Sequence, residues 1–139
     1  MKKRPPKLAK PKPKQPRRPR PKFYPAGEEM KAWASMLGSE LSSLPSTSTK
    51  PMFGFLAFYR HGAIFAALPK TRGFNSASSI MLKFNPLPDV LLKRAQNDSR
   101  LDTNTRMPGK GWFTFELSSE TDLRDALFWL NQAYDAAAN

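Results

Sequence analysis

MFGFLAFYRHGAIFAAL, residues 52–68, is the stretch of sequence that decides the fold. Two apolar runs rich in aromatic residues, Phe53 to Tyr59 and Ala63 to Leu68, flank Arg60-His61-Gly62. A short connection that contains glycine between two such runs is typical of a β-hairpin. The stretch therefore predicts two adjacent antiparallel strands, and Pro69 to Gly73 is predicted as the loop that closes the second strand.

The residues downstream of the hairpin predict further strands. Ile80, Leu82 and Phe84 alternate along the chain, so in a strand they would share one face of the sheet. Residues 112–117 form two alternating sets, with Trp112, Thr114 and Glu116 on one face and Phe113, Phe115 and Leu117 on the other. The predicted strands are Ala77 to Phe84, a short one near Thr103 to Arg106 within the polar segment 98–111, and Trp112 to Leu117.

Three helices are predicted around these strands. The first runs from about Glu28 to Ser42, where apolar residues are spaced along one helical face. The second follows Asn85-Pro86-Leu87-Pro88 and ends near Asn97. The third begins after Ser119, a natural N-cap with Asp122 at the N3 position. The residues expected to pack the second helix are Val90, Leu91 and Ala95, and those of the third are Leu123, Ala126, Leu127, Leu130 and Tyr134.

This order of elements predicts an α+β fold. We expect an antiparallel β-meander of about four to five strands, packed against N- and C-terminal helices and preceded by a disordered basic tail. Residues 1–25 are assigned to the tail, with 23–27 as a hinge, and residues 26–139 form a single domain. Residues 43–51 are a linker by composition.

The charge of the chain is concentrated in residues 1–22, which we call the basic segment. It holds eleven of the twenty-three Lys and Arg and no acidic residue, whereas the remainder holds twelve basic and eleven acidic residues. Eight prolines among the first twenty-five residues keep the backbone extended and prevent a helix. Such a segment cannot bury enough apolar surface to fold alone, so it is expected to be disordered when free.

An extended polycation suits nucleic acid, because each neutralised phosphate releases counterions without any reading of sequence. We therefore predict a DNA-associating protein with its main contact in the basic segment and a weaker one in the hairpin loops. The predicted contact residues are Lys2, Lys3, Arg4, Lys7, Lys10, Lys12, Lys14, Arg17, Arg18, Arg20 and Lys22, then Arg60, Lys70 and Arg72. His61 lies beside Arg60, and Arg106 and Lys110 lie near the last predicted strand, so we expect loops at one end of the meander to gather these residues into one basic patch.

Other interpretations of the basic segment stay open. Anionic lipid also attracts Lys and Arg, although the segment has no apolar wedge or lipidation motif. Two further interpretations give the segment no ligand: it is a solubilising extension, or it is translated leader sequence if synthesis starts at Met30. The alternative function is then a protein-interaction module or homodimer. The start of the chain has no apolar core of a secretory signal, and its prolines exclude an amphipathic presequence, so we expect a cytoplasmic protein.

The sequence offers little for catalysis, and we predict a non-enzymatic protein with no cofactor, metal or small-molecule substrate. Cysteine is absent and His61 is the only histidine, at a predicted turn. No serine lies in a Gly-x-Ser-x-Gly elbow, and Gly109-Lys110-Gly111 lacks the rest of a phosphate loop. Asp89, Asp98 and Asp102 do not have the spacing of a calcium loop.

The middle of the chain resembles a known family. Met52–Phe58 and Gly62–Leu68 resemble the opening hairpin of the TfoX N-terminal domain group. Met107–Phe115 is similar to the "Gly-Lys-x-Trp plus strand" block of MmcQ/YjbR-like proteins, and Glu120–Ala137 lies where both groups place their closing helix. The resemblance, over residues 28–137, implies a small α+β domain without an established set of catalytic residues. It also implies a link to DNA, since TfoX proteins are associated with competence regulation and YjbR-type folds have been compared with double-wing DNA binders.

Overall fold

The computed structural model describes residues 23–74, 76–84, 87–102 and 111–137. The helices and strands of these residues are, in chain order, β1 (Phe23–Pro25), α1 (Glu28–Ser42), β2 (Thr47–Met52), β3 (Phe55–Arg60), β4 (Ala63–Pro69), β5 (Arg72–Phe74), β6 (Ser79–Lys83), α2 (Asp89–Asn97), β7 (Leu101–Asp102), β8 (Trp112–Glu116) and α3 (Leu123–Ala136).

Within these ranges, six strands form one antiparallel sheet in the order β2-β3-β4-β6-β8-β7. Strands β1 and β5 form a separate two-stranded sheet. Helices α1 and α3 both contact β4 and also contact each other, so they cover the same face of the large sheet. The predicted α+β fold is confirmed, with six strands in the main sheet instead of about four to five.

The main core lies between the sheet and the two helices. Ile80, Leu82 and Phe84 belong to it, which confirms the alternation predicted for their strand. A smaller cluster lies on the opposite face of the sheet. It consists of Phe55, Ala67, Met81 and Trp112. Both faces of the central strands are therefore buried, which explains why the hairpin sequence is almost continuously apolar.

The predicted hairpin is present as β3 and β4, joined by the turn His61-Gly62. Both turn residues have positive φ, 50° and 82°, as a tight two-residue hairpin turn requires. Phe58 pairs with Ala66 and Tyr59 pairs with Ile64, so Phe65 is an extra residue on β4. This β-bulge lets Phe65 contact Phe58 and the ring of Tyr134. The hairpin is thereby tied to the C-terminal helix.

The prediction of a linker over residues 43–51 is wrong for the second half of that range. Thr47–Met52 is strand β2, paired residue by residue with β3. Its composition concealed it because it is the edge strand of the sheet, mostly exposed to solvent. An edge strand also tolerates Pro51, because among the described residues β2 has a neighbouring strand on one side only, and proline has no N–H to donate on the other.

The loop predicted at Pro69 to Gly73 is also largely strand. Pro69 is the last residue of β4, and β5 begins at Arg72. Residues 23–25, predicted as the end of the tail and part of a hinge, form β1 and pair with β5. The sequence signal failed because each strand is only three residues long, too short for an alternation pattern to show.

The helices begin and end close to their predicted bounds. Helix α1 has the predicted range, and α2 ends at Asn97 as expected. In α2, Leu91 and Ala95 are buried, whereas the prediction for Val90 is wrong because 88% of it is exposed. The strand expected near Thr103–Arg106 lies outside the described residues.

The start of the last helix matches its capping signal. Ser119 and Asp122 form a capping box, with the backbone N–H groups of Ser118 and Ser119 donating to Asp122 Oδ2 at 2.8 and 3.2 Å. A 3₁₀ turn, Glu120–Asp122, precedes α3 itself. The buried residues of α3 are Ala126, Trp129, Leu130, Ala133 and Tyr134, while Leu123 and Leu127 are only partly buried.

Candidate functional site

Strand β3 separates the basic residues that the sequence placed in one patch. Arg60 and His61 lie at its C-terminal end, where Arg60 pairs with Ala63. Lys70 and Arg72 lie beyond its N-terminal end, where Phe55 pairs with Pro69. The two ends are roughly 17 Å apart along the strand. The hairpin loops therefore do not gather into a single basic patch.

At the N-terminal end of β3, three chain segments are held together by the backbone. The carbonyl of Gly54 accepts hydrogen bonds from the backbone N–H groups of Lys70 and Thr71, both at 2.9 Å. The carbonyl of Thr71 in turn accepts from the N–H of Ala26 at 3.1 Å. We call this surface the basic–aromatic end. It consists of Tyr24, Phe53, Gly54, Lys70, Thr71 and Arg72.

The basic segment joins the fold at this end. Strand β1 pairs with β5 in a register that places Pro25 opposite Arg72 and Tyr24 opposite Gly73. Lys22, the last residue of the basic segment, directly precedes the first residue of β1. The basic segment, with its eleven cationic side chains, is therefore attached to the strand next to Arg72, at the same end of the fold as Lys70.

The tip of the β2–β3 hairpin adds an aromatic ring to this end. Phe53 and Gly54 form the two-residue turn, with φ values of 47° and 89°. The side chain of Phe53 is 81% exposed. Arg72 lies across the turn so closely that a Cβ on Gly54 would come within 2.7 Å of its Cγ. Glycine is thus needed at 54 both for its backbone conformation and for the approach of Arg72.

The C-terminal end of β3 is built differently. The guanidinium of Arg60 lies 4.0 Å from the ring centroid of Tyr134, and its Nη1 donates to the Tyr134 carbonyl at 2.9 Å. The Tyr134 hydroxyl donates to the carbonyl of Pro45 at 2.6 Å. Arg60 thus places a cation near the C-terminus of α3, a helix with no basic residue in its last turn. We call Arg60, Tyr134 and Pro45 the closed end.

A cluster of charged side chains around Arg100 connects the α2–β7 turn to the start of α3. Arg100 donates to Asp98 at 2.9 Å, to Asp122 at 2.8 Å and to Asp125 at 2.8 Å. The hydrogen bonds that Arg100 donates, to Asp98 first and also to the other two carboxylates, raise the pKa of Arg100 above its ordinary value.

The same contacts lower the pKa of two of these carboxyl groups. Burial opposes the ionisation of Asp98, but hydrogen bonds from Arg100 outweigh it and hold its pKa below the ordinary value. The backbone N–H of Ser118 is the main cause of the lowered pKa of Asp122, with Arg100 adding to it. Arg100 thus contacts all three carboxylates at once. The cluster therefore holds the α2–β7 turn against the start of α3, which is a structural role.

A cavity of about 280 Å³ opens beside the basic–aromatic end, between α1 and the β3–β4 hairpin. Apolar side chains and two amines line it, and Lys31 pairs with Glu28 at 3.6 Å.

In the described ranges of the chain, no three His, Cys, Asp or Glu side chains are placed to hold a metal ion. No helix among those residues has the length and apolar character needed to cross a bilayer.

The structure therefore sorts the predicted contact residues into three groups. Lys70 and Arg72 lie together beside the attachment of the basic segment, and Arg60 lies apart from them in the closed end. The residues of the basic segment itself, and Arg106 and Lys110, lie outside the described residues, so their role stays a prediction.

Two aromatic members of the basic–aromatic end were missed as site residues. Phe53 was assigned to the first residue of a strand, and Tyr24 to a hinge. The dipeptide Phe53-Gly54 contains the signal that would have found the turn, since glycine after an exposed residue between two strands marks a tight hairpin. That signal depends on recognising β2, which its polar composition concealed.

Comparison of the chain with protein-family models, with curated proteins and with solved structures gives no match. The resemblance to TfoX and MmcQ/YjbR-like proteins accordingly stays a hypothesis.

Proposed function

We propose that this protein associates with nucleic acid without reading sequence, through its basic segment, with the basic–aromatic end as a second contact. The observation that supports the proposal is the pairing of β1 with β5, because it joins the basic segment to the fold beside Arg72. A strand of nucleic acid held by the segment would reach Lys70 and Arg72 next.

The electrostatics of such binding are set by the segment more than by the domain. Its eleven positive charges have no acidic neighbour in sequence, whereas the charges of residues 23–139 nearly cancel. Each phosphate that is neutralised contributes about −0.9 to the slope of log K against log salt for duplex DNA. We therefore expect strong binding at low salt and steep weakening as salt rises.

The test compares the full-length protein with a variant in which all eleven Lys and Arg of the basic segment are replaced by Gln. Binding to a fluorescein-labelled 20-base-pair duplex is followed by anisotropy at several salt concentrations. We expect the variant to lose at least about 100-fold in affinity at about 50 mM salt. A matched control replaces only the Lys residues of the segment by Arg, which keeps the charge and should keep the affinity.

The proposal fails if the full-length protein does not bind DNA at low salt, or if the Gln variant binds as tightly as the wild type. A salt slope that stays the same in the Gln variant would also contradict it, since the contacts would then belong to the domain alone.

A second candidate function, self-association, is supported by helix α2. Val90 is 88% and Leu92 is 47% exposed there, and contact with a second copy of the protein would bury this apolar surface. Light scattering after size-exclusion chromatography tests it. A dimer that dissociates in V90E would support this candidate, and a monomer at high concentration would exclude it.

A further inference from the structure

Phe53 is the feature of this fold that packing does not explain. Of the aromatic side chains whose burial is described, it has the largest exposed fraction, 81%, against 38% for Tyr24. Its φ of 47° lies in the left-handed region, which a bulky side chain rarely adopts. Such a conformation is usually compensated by burial of the residue or by function, and Phe53 is not buried.

The turn itself does not require a phenylalanine. Two-residue hairpin turns with positive φ at both positions favour Asn-Gly or Asp-Gly, because Asn and Asp adopt the left-handed region at low cost. Gly54 supplies the second position. An aromatic ring at the first position is therefore unfavourable for the turn and places a flat apolar surface in solvent.

The surroundings of the ring are cationic and polar. Lys70, Thr71 and Arg72 are exposed, and the Arg72 side chain lies against the turn that carries the ring. The exposed aliphatic side chains lie on helices instead, at Met36, Val90 and Leu92. A membrane or protein anchor needs contiguous apolar surface, whereas a single exposed ring on a turn with cations nearby matches a base next to its phosphates.

We infer that Phe53 stacks on an unpaired base, and that this makes single-stranded nucleic acid the preferred ligand of the basic–aromatic end. This inference rests on the proposed function. Lys70 and Arg72 would contact the phosphates on either side of the stacked base. A base in a duplex is already stacked on its neighbours, so the ring gains its contact only where a base is unpaired. The basic segment, which has no aromatic residue, binds both forms and supplies no such preference.

The test uses the full-length protein and F53N, which removes the ring and places a residue suited to positive φ in the turn. Thermal unfolding should show that F53N is at least as stable as the wild type. Affinities for a 20-nucleotide oligothymidine and for a 20-base-pair duplex are measured at the same salt. We expect F53N to lose about 5- to 100-fold on the single strand and less than about twofold on the duplex.

Two further variants make the readout specific. M36Q removes an exposed apolar side chain on α1 and should change neither affinity. F53W keeps a ring at the tip, should retain the affinity, and should add a fluorescence signal that the oligothymidine quenches.

The outcomes separate this inference from the proposed function. If the wild type binds both ligands but F53N loses equally on both, or on neither, the inference is overturned and the proposed function stands. If the wild type binds neither ligand at low salt, the proposed function fails and the inference with it. A loss of binding by F53N that is confined to vesicles containing phosphatidylserine would overturn the inference and identify a lipid contact.

Discussion

The two ends of strand β3 have similar sequences and different surroundings. Each has a two-residue turn with positive φ and a glycine in the second position, and each has an arginine and an aromatic ring nearby. At the closed end, Arg60 is engaged by Tyr134 from a helix 74 residues further along the chain. At the basic–aromatic end, Arg72, Lys70 and Phe53 are exposed. The fold thus leaves two basic side chains exposed to solvent at one end of β3 and holds Arg60 against Tyr134 at the other.

The difference shows how a domain of nearly zero net charge can still have one end at which exposed basic residues lie close together. The C-terminal helix covers one end of the hairpin and leaves the other to the N-terminal strand. That strand is continuous with the basic segment. Fold topology therefore places the point of attachment of the basic segment beside the exposed Lys70 and Arg72, and away from Arg60.

The largest effect is expected from R60A, which tests whether the closed end is structural. The substitution removes a charge-assisted hydrogen bond, a cation–π contact and the packing of the arginine stem. Its Nε is buried without a hydrogen-bond partner among the described residues, which offsets part of the gain. We expect unfolding free energy to fall by about 2–3 kcal/mol in urea denaturation.

DNA affinity of the folded R60A protein should stay within about twofold of the wild type, because Arg60 is occupied by Tyr134 and is roughly 17 Å from the basic–aromatic end. A large loss of affinity with little loss of stability would reverse the assignment of the two ends.

R100Q extends the comparison to a second arginine that the fold occupies. The loss of three carboxylate contacts leaves Asp98, Asp122 and Asp125 close together without their cation. We expect a loss of about 2 kcal/mol near pH 7, a value reduced by the partial exposure of these groups. Chemical denaturation measures it, and a change below about 0.5 kcal/mol would show that solvent already screens the cluster.

The pH dependence of the same cluster has a definite sign. The pKa values of Asp98 and Asp122 are lowered from 3.8 in the folded protein, so the unfolded chain takes up protons first as pH falls. Their contribution is therefore fully present well above pH 4 and is lost as pH falls through the lowered values. Melting temperatures between pH 7 and pH 2 should fall less steeply below pH 4 in R100Q than in the wild type.

How much of this fold the sequence predicted depends on which helices and strands bury apolar side chains. The hairpin, β6, β8 and helix α1 were predicted because each buries a regular apolar pattern, as at Phe113 and Phe115. The edge strand β2 and the short strands β1 and β5 bury little, so composition misassigned them. Within the candidate site, Lys70 and Arg72 were identified by charge, but the separation of Arg60 depends on Tyr134, which no local pattern near residue 60 reveals.

A smaller effect is expected from Y134F, which tests one bond of the closed end. The variant keeps the ring that Arg60 and Phe65 contact and removes only the hydroxyl that donates to Pro45. Because the freed carbonyl belongs to a surface turn and can be hydrated, we expect about 1 kcal/mol of lost stability and an unchanged DNA affinity. Melting temperature and anisotropy measure the two quantities. An effect as large as that of R60A would mean that the hydrogen bond to Pro45 contributes as much to this end as the arginine does.

The smallest effect, from R72Q, reveals most about the basic–aromatic end, because it should change binding and leave folding intact. Arg72 is exposed and lies over Gly54, so its neutral replacement should keep stability within about 0.5 kcal/mol. If it contacts one phosphate, duplex affinity should fall about threefold near 0.15 M salt and the salt slope should decrease by about 0.9. K93Q is the matched control, because it also removes one exposed cation, on helix α2 and away from this end. Equal effects from R72Q and K93Q would show that DNA senses only overall charge, and the distinction between the two ends of β3 would then have no consequence for binding.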